Sequence, residues 1–501
     1  MTLVRGRPLG EDAERRLLLF DPVDLELEYG RIARVTPSAR LHGAPVVGHD
    51  DAVLVPGWTD SHVHLVALAA DRAGVDLARD RPRTVRDLLD RIADASRGRP
   101  ATAWIRASGY DESFLAERRH PTREELDRVA GGRPVRLRHA TRHASVLSSA
   151  AFALLAPRLS ENRGERVPRD GEGRPLGIVF GSEQEISAAV GPLSPGEIQD
   201  GLRRVSEELL AVGIVSVDET TAANDAARIA TLAEAVAAGR VRQRVRAFVG
   251  RASEVEEVRA AARELVEIAG VKLLPESAAD VAAPAFAAEV AEARRRGLPV
   301  AVHAVEADAI DATLDVLARA PARLGDSRVP DRIEHASLCP PEIVRRLAEQ
   351  RVAVVTQPGF LFERGDKYRQ EVESPLWPWL YPIRSLLSVG VVVAGSSDAP
   401  VATLDPRVGM DAAMERRTAA GEVLAASERI DESAALRLYT SAPRCLRGES
   451  PPAGRWWDPG ERADVLVLDR DPRGRRWSQV EVTATIGGGT LGRVELGEVT
   501  S

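Results

Sequence analysis

From about residue 200 onward, the chain alternates short apolar runs rich in β-forming residues with helical segments. Strands that alternate with helices predict a parallel sheet with crossover helices, and repeated units of this length favour a closed (β/α)8 barrel over an open sheet. We therefore predict the α/β class with a TIM-type barrel. The predicted strands start after Gly213 and then lie at 271–274, 299–303, 332–335, 352–357 and 391–394.

Local signals place the ends of the predicted helices. Ser194 followed by Glu197 forms a capping box, and Gly213 is expected to end the helix that this box begins. Ser253 is expected to begin a later helix that closes at Gly270. These limits give each helix a length suited to a crossover between parallel strands.

The two ends of the chain differ from this middle region. The stretches at 17–35, 463–468 and 480–499 read as β-segments separated by turns. We predict a small β-sandwich domain built from residues 1–55 and 446–501, with the barrel at 56–445. The segment around 101–194 is long and rich in Arg, Gly and Pro, which predicts an insertion near the barrel mouth that influences substrate choice.

Composition excludes several classes of function. The chain has 501 residues, 44% hydrophobic and 29% charged, and no apolar run long enough for a membrane-spanning helix. Its net charge of −7 is spread over interspersed acidic and basic residues, so neither a nucleic-acid nor a membrane partner is expected. The first residues lack the apolar core of a secretory signal, which predicts a cytoplasmic location. A small-molecule substrate is expected, and a homo-oligomer is left open.

A pair of histidines follows the first predicted barrel strand. In the run Pro-Gly-Trp-Thr-Asp-Ser-His-Val-His, His62 and His64 are two residues apart. Alternate residues of an extended chain point the same way, so both imidazoles can face one metal ion. Taken alone, the pair fits a surface turn equally well.

Other residues of metal-ligand type lie at or near the ends of later predicted strands. They are His303, His335 and Asp398. Barrel active sites form where the carboxyl ends of the strands meet, so these side chains are expected to converge with His62 and His64. A single buried histidine is more often a hydrogen-bonded core residue, whereas several together favour a metal centre.

Lysine is rare in this chain. Lys and Arg together number 68, yet lysine occurs only at Lys272 and Lys367. Arginine serves as well for a solvated charge, but only lysine can lose its proton and react. We therefore expect one of the two lysines to take part in the chemistry of the site. Lys272 lies in a predicted barrel strand. The alternative for Lys272 is a buried ion pair with Glu276.

A set of motifs spanning nearly the whole chain resembles the metal-dependent amidohydrolase superfamily, most closely its family 3 of exo-acting amidohydrolases. The set comprises Pro-Gly-Trp-Thr-Asp-Ser-His-Val-His, Arg-His-Pro-Thr-Arg-Glu-Glu-Leu-Asp from Arg119, Ile-Glu-His at 333–335, Gly-Ser-Ser-Asp-Ala-Pro-Val at 395–401 and Gly-Glu-Arg-Ala-Asp-Val-Leu-Val-Leu at 460–468.

The resemblance implies one or two divalent cations, zinc in the first place. The implied ligands are His62, His64, His303, His335 and Asp398. Lys272 matches the position where many relatives carry an N6-carboxylated lysine that bridges two metals. Glu183 is an alternative bridging carboxylate, or a solvated residue at a helix start.

The implied function is hydrolysis of a C–N bond in an amide, N-acyl, formamide or cyclic amide compound. Metal binding would acidify water to give hydroxide and polarise the carbonyl, with Asp398 as general base and then acid. The alternatives are a heterocycle deaminase, a non-hydrolytic metal-dependent lyase or isomerase, and a catalytically silent binding protein. Tyr110, Asp111, His143 and Gln357 are candidate substrate contacts.

Two departures from the family pattern concern the number of metals. Family members commonly follow the strand lysine with Asp-Gly, whereas Lys272 is followed by Leu-Leu-Pro. Where relatives often have His-Asp after an earlier strand, this chain has Asp218 and Glu219. The sequence therefore leaves one metal or two open, and substrate contacts of relatives need not transfer.

Overall fold

The computed structural model describes residues 2–38, 46–77, 82–141, 144–155, 167–181, 183–191, 193–325, 328–450, 455–488 and 490–494. Two compact units make up the chain: residues 1–65 with 206–501, and residues 66–205. We call the second the insertion unit. Among the described residues, no helix is both long enough and apolar enough to cross a bilayer.

The strands belong to three sheets. In chain order they are β1 (Thr2–Glu11), β2 (Leu17–Leu19), β3 (Val23–Glu28), β4 (Arg31–Pro37), β5 (Val46–Pro56), β6 (Trp58–Val63), β7 (Val75–Asp76), β8 (Ile105–Tyr110), β9 (Val135–His139), β10 (Ala144–Leu147), β11 (Ile178–Phe180), β12 (Ile214–Glu219), β13 (Arg244–Val249), β14 (Glu267–Leu273), β15 (Val300–Ala304), β16 (Arg332–His335), β17 (Ala353–Thr356), β18 (Val393–Gly395), β19 (Val465–Leu468), β20 (Val482–Gly487) and β21 (Thr490–Val494).

The α-helices follow the strands in the alternation that the sequence predicts. They are α1 (Leu65–Arg72), α2 (Val85–Ser96), α3 (Arg123–Ala130), α4 (Ser149–Leu155), α5 (Glu183–Val190), α6 (Pro195–Ala211), α7 (Ala226–Ala237), α8 (Val255–Ala262), α9 (Ala278–Ala282), α10 (Pro284–Arg295), α11 (Ala307–Arg319), α12 (Pro341–Glu349), α13 (Gly359–Glu371), α14 (Ile383–Ser388), α15 (Pro406–Glu415), α16 (Glu432–Tyr439) and α17 (Ser441–Cys445).

The barrel is a parallel sheet in the order β6-β12-β13-β14-β15-β16-β17-β18. A further parallel bridge between Val63 and Ala399 links its first strand to the segment after its last one, so the sheet nearly closes on itself. The strands are buried along most of their length, as strands covered by crossover helices must be. The predicted TIM-type barrel is confirmed.

The ends of α6 follow the predicted signals. Glu197 N donates to Ser194 Oγ, and Ser194 N donates to the Glu197 carboxylate at 2.8 Å, which completes the capping box. Gly213 then adopts a left-handed φ of +85°, and β12 begins at the next residue. A glycine is favoured there because other residues enter this conformation at a cost.

Two features of the middle region differ from the sequence prediction. Strand β13 was not predicted, because Arg244 and Arg246 interrupt its apolar run. The helix expected to close at Gly270 ends instead at Ala262, and Gly270 lies inside β14. A side chain is excluded there for a steric reason, since a Cβ at Gly270 would lie 2.5 Å from the carbonyl oxygen of Pro299, the residue before strand β15.

Both termini contribute to one sheet beside the barrel, in the order β21-β20-β19-β5-β1-β3-β4, with β2 paired to β1. Strand β5 lies at its centre, antiparallel to β19 and parallel to β1. Strands from both ends of the chain thus share one sheet, whereas a separate small β-sandwich domain at 1–55 and 446–501 stays a prediction. The insertion unit carries the third sheet, β11-β10-β9-β8-β7. The limits of 101–194 predicted for an insertion also stay a prediction.

Candidate metal centre

The predicted ligands lie at the carboxyl ends of barrel strands. His62 is near the end of β6 with His64 just beyond it, and His335 is the last residue of β16. His303 lies in β15, and Asp398 follows β18. Because β15 pairs with β16 and the segment after β18 pairs with β6, the topology gathers these five side chains at one end of the barrel.

The tightest group is His62, His64 and Asp398, whose ligand atoms all lie within 4.8 Å of one another. Asp398 Oδ1 is 3.1 Å from His64 Nε2 and 3.5 Å from His62 Nε2. The ring of His335 is centred 5.0 Å from that of His62 and 4.7 Å from that of His303. The structure thus brings together the histidines and the aspartate that the sequence singled out.

Three of these imidazoles are oriented by hydrogen bonds at Nδ1. His62 Nδ1 lies 2.5 Å from Glu334 Oε2, and His335 Nδ1 lies 2.9 Å from Gln357 Oε1. His64 Nδ1 lies 2.9 Å from the hydroxyl of Thr221. For His62 and His335 the partner oxygen can only accept, so Nδ1 donates, the ring is fixed, and the Nε2 lone pair is left to coordinate a metal.

Behind His62 lies a buried network of charges. Arg332 Nε is 2.6 Å from Glu334 Oε1, and Arg332 Nη1 is 2.8 Å from Asp218 Oδ2. Arg246 joins the same Asp218 at 3.2 Å. Each charge in this network therefore has an opposite partner, which a buried charge requires.

The sequence reading did not assign roles to Glu334, Arg332 or Thr221, and it noted Asp218 only as a departure from the family pattern. A signal for three of them is nevertheless present. Asp218, Arg332 and Glu334 are charged residues inside fully buried barrel strands, where an unpaired charge would be costly. Thr221 gives no such signal, since threonines are common in loops.

Lys272 is buried beside this group. It is 3% exposed, and its Nζ has no hydrogen-bond partner among the described residues. Burial lowers the pKa of Lys272 to about 8, so a substantial share of the amine is neutral near that pH. The alternative ion pair with Glu276 does not form in the structure. The other lysine, Lys367, is 64% exposed and pairs with Glu371 at 3.6 Å.

Burial also sets the charge of the histidines. It lowers the pKa of His303 and of His335 to about 4 each, and the Lys272 charge contributes in the same direction. The pKa of His62 falls well below its ordinary value for the same two reasons. These imidazoles are neutral at pH 7, which is the form that coordinates a metal.

Asp398 is held as a carboxylate. Burial raises its pKa, but the hydrogen bond from His64 and the nearby imidazoles outweigh that effect, and the pKa of Asp398 is lowered overall. Its backbone N donates to the His62 carbonyl at 2.9 Å. The carboxylate is therefore both ionised and fixed beside the two histidines.

Two residues of the centre have a strained backbone. His335 has φ of +75° and Asp398 has φ of +56°, a region that non-glycine residues enter at a cost of roughly 1–3 kcal/mol. Neighbouring hydrogen bonds hold Asp398 in place, because Asp60 accepts bonds from both Ser397 N and Ser397 Oγ. Such strain is typical of sites that position side chains for chemistry.

This donor set fits a divalent transition metal. Neutral imidazoles with free Nε2 atoms and an ionised carboxylate are the ligands of hydrolytic metal sites. The unpartnered Nζ of Lys272 adds an amine that could carry the bridging carbamate.

The other candidate residues have different surroundings. Gln357 is fully buried behind His335, and its Nε2 donates to Ser396 Oγ at 2.9 Å. Tyr110 and Asp111 belong to the insertion unit, where Tyr110 is buried and Asp111 accepts a hydrogen bond from Ser113 N. His143 lies outside the described residues, and so does the side chain of Glu183. Substrate contact by any of these residues stays a prediction.

A parallel barrel whose strand ends gather neutral histidines around an aspartate defines the class of metal-dependent barrel hydrolases. The chain belongs to the amidohydrolase family, whose sequence profile matches residues 49–490. This confirms the resemblance noted above. The protein is a metal-dependent hydrolase acting on C–N bonds.

Individual proteins show the same relationship. The chain is 29% identical over 488 residues to the N-substituted formamide deformylase of Arthrobacter pascens, covering 88% of this chain and 89% of that protein. A metal-dependent hydrolase from Pyrococcus horikoshii OT3 shares the fold, with TM-score 0.72 and 23% identity over 95% of this chain and 99% of that chain. A zinc-bound adenosine deaminase from Xanthomonas campestris also shares it, with TM-score 0.53 and 17% identity over 100% and 94%.

Proposed function

We propose that this protein hydrolyses the amide C–N bond of a small N-acyl compound, with N-substituted formamides as the first class to test. The observation that carries the proposal is the approach of His62 Nε2 and His64 Nε2 to Asp398 Oδ1. The relation to an N-substituted formamide deformylase supports the choice of substrate class. A cytoplasmic location, a small-molecule substrate and the possibility of a homo-oligomer belong to the same proposal.

The proposed ligand set is His62, His64, His303, His335 and Asp398, with Lys272 joining it when carboxylated. A bound divalent cation, zinc in the first place, supplies the Lewis acidity that acidifies water and polarises the carbonyl. His62 and His335 can offer Nε2 to it because their Nδ1 atoms are engaged elsewhere.

Asp398 is proposed to move the proton. It takes the proton from the attacking water and returns it to the leaving nitrogen, so that the C–N bond breaks and an amine leaves. The lowered pKa of Asp398 keeps the group unprotonated before the reaction, as a general base must be. Its fixed backbone holds the carboxylate within reach of the atoms that His62 and His64 position.

The first experiment identifies the product. The purified protein is incubated with N-substituted formamides, other N-acyl amines, a cyclic amide and an amino-substituted heterocycle. Release of formate or another carboxylate, or ring opening of the cyclic amide, supports the proposal. Release of ammonia from the heterocycle alone would identify a deaminase. Elimination or isomerisation without hydrolysis would identify a metal-dependent lyase or isomerase.

The second experiment tests Asp398. We expect Asp398→Asn to lower kcat by roughly 10²–10⁴-fold, the usual share of general acid–base catalysis, while the fold and most of the bound metal remain. Steady-state kinetics, circular dichroism and metal content measure these three quantities. Asp90→Asn, an exposed change in the insertion unit, is the control. Normal turnover in Asp398→Asn would sink the assignment.

A further inference from the structure

The insertion unit contains a second group of metal-ligand side chains. Asp111 and Glu112 directly follow β8, and His139 is the last residue of the parallel neighbour β9. Tyr110 and His139 are paired residues in the register of these strands. As in the barrel, carboxyl ends of parallel strands therefore bring functional groups together.

The ligand atoms of Asp111, Glu112 and His139 lie within 4.8 Å of one another. His139 Nε2 is 2.8 Å from Glu112 Oε2 and 4.0 Å from Asp111 Oδ1. The two carboxylates are about one-third exposed, so an ion can reach the group from solvent. Among the described residues, this is the one such group outside the barrel centre.

A buried nitrogen lies beside the carboxylates without a well-aligned hydrogen bond. His139 is 8% exposed, and neither its Nε2 nor Glu112 Oε2 has a hydrogen-bond partner among the described residues. Buried polar atoms in folded proteins are nearly always satisfied, so a pair of unsatisfied atoms this close together indicates a missing ligand. A cation between them would satisfy both.

The other nitrogen of His139 is already engaged. The hydroxyl of Thr141 lies 2.7 Å from His139 Nδ1, and its backbone N lies 3.1 Å from the same atom. A backbone N–H can only donate, so Nδ1 accepts it and Nε2 carries the proton. Coordination of a metal by Nε2 would move that proton to Nδ1, where the Thr141 hydroxyl can accept it.

His120 lies beside the group and supports it. Its Nδ1 is 3.4 Å from Glu112 Oε2 and 3.1 Å from the hydroxyl of Tyr110. The Tyr110 hydroxyl occupies the nitrogen that faces the carboxylate, so His120 is a neighbour rather than a ligand. The set is then one imidazole and two carboxylates, with positions open to water.

We propose that Asp111, Glu112 and His139 form a second divalent-metal site in the insertion unit, selective for a first-row transition ion such as Zn²⁺. Imidazole favours such ions over Mg²⁺ and Ca²⁺, which prefer all-oxygen shells. The site would tie the segment after β8 to the end of β9. It is independent of the proposed hydrolytic reaction.

The test uses the full-length protein after removal of metal by a chelator. Zn²⁺ is added back, and bound equivalents are counted by elemental analysis after desalting. A protein with His62→Ala and His64→Ala has a weakened barrel centre, and the part of its zinc that Glu112→Gln then removes reports on the insertion unit. We expect one equivalent to remain in that protein and its affinity to fall more than about 10-fold when Glu112→Gln is added.

Two further variants protect the test against misfolding. Asp111→Asn keeps a side chain that can still accept from Ser113 N, and Glu124→Gln changes an exposed carboxylate of α3 as the control. Co²⁺ absorption in the visible range gives an independent reading of the ligand set. Zinc binding that is unchanged by Glu112→Gln and by Asp111→Asn, or that Mg²⁺ matches in affinity, would overturn the proposal.

Discussion

The barrel centre and the group in the insertion unit use similar side chains but are assembled from very different stretches of chain. In the barrel, the contact between His62 and Glu334 joins residues 272 positions apart. In the insertion unit, Asp111 and Glu112 directly follow β8, and His139 ends the neighbouring strand β9. The first arrangement exists only when the barrel nearly closes, whereas the second requires one pair of strands.

This difference predicts how each region responds to change. The barrel centre rests on buried charges that depend on one another, so the loss of one partner leaves another uncompensated. The insertion group is partly exposed, and water can replace a lost partner. Changes in the barrel should therefore have large effects on metal and activity, and changes around the insertion group should have small, local ones.

Among the variants that compare the two regions, Lys272→Ala should have the largest effect. Because the buried amine is the proposed bridging ligand, we expect loss of at least one metal equivalent and a fall in kcat/KM of more than about 100-fold. Short carboxylic acids added to the variant should restore part of the activity by replacing the lost carboxylate. Elemental analysis and steady-state kinetics measure both results.

Lys367→Ala is a matched control, because it removes the only other lysine, which is exposed and paired with Glu371. It should leave metal content and activity unchanged. Equal metal content in Lys272→Ala and the parent protein would make the bridging role untenable while leaving the histidine centre intact.

A smaller effect is expected from Glu334→Gln. The amide keeps the shape of the side chain but removes the charge that orients His62 and pairs with Arg332. Partners of this kind typically contribute 10–100-fold to metal affinity or activity, and we expect a loss of roughly that size. Zinc competition with a chromophoric chelator and kcat/KM are the measurements.

Glu267→Gln is the control for this variant. Glu267 binds Arg246 in the same network, but its side chain is 53% exposed. Its removal should leave zinc affinity nearly unchanged. If both variants lose affinity equally, the network stabilises the barrel in general and does not orient His62.

The smallest effect should follow Tyr110→Phe in the insertion unit. The change removes one hydrogen bond, from the Tyr110 hydroxyl to His120 Nδ1, which is worth about 0.5–1.5 kcal/mol. We expect Tm to fall by less than about 4 °C and the barrel metal to be retained. Tyr29→Phe, at a fully exposed tyrosine, should not shift Tm. Loss of barrel metal in Tyr110→Phe would contradict this expectation.

Much of the fold could be predicted because local signals agree with the tertiary structure. The capping box at Ser194 and the left-handed Gly213 delimit α6, and β16 occupies the predicted 332–335. Strand β13 is not predicted from the sequence because Arg246 interrupts its run of apolar residues. In the fold, Asp218 and Glu267 form ion pairs with that arginine. Its partners come from other strands, which no local pattern reveals.

The candidate metal centre likewise contains residues that the sequence predicts and residues that it does not. His62, His64 and Asp398 could be predicted because ligand residue types follow apolar runs. The groups that orient them could not, since Glu334 and Thr221 acquire their roles only when the barrel brings them to the Nδ1 atoms of His62 and His64. The side chains that coordinate are visible in sequence, and those that hold them depend on distant pairing.

The sheet formed by both termini has a consequence for synthesis of the protein on the ribosome. Val465 in β19 pairs with Pro56 at the end of β5. The edge of β5 that β19 covers therefore stays unpaired until the ribosome has added ~400 further residues. At about 5–20 residues per second this interval is roughly 20–80 s. During it, the unpaired edge of β5 is open to association with other nascent chains, and this is the stage at which a chaperone would be of most use.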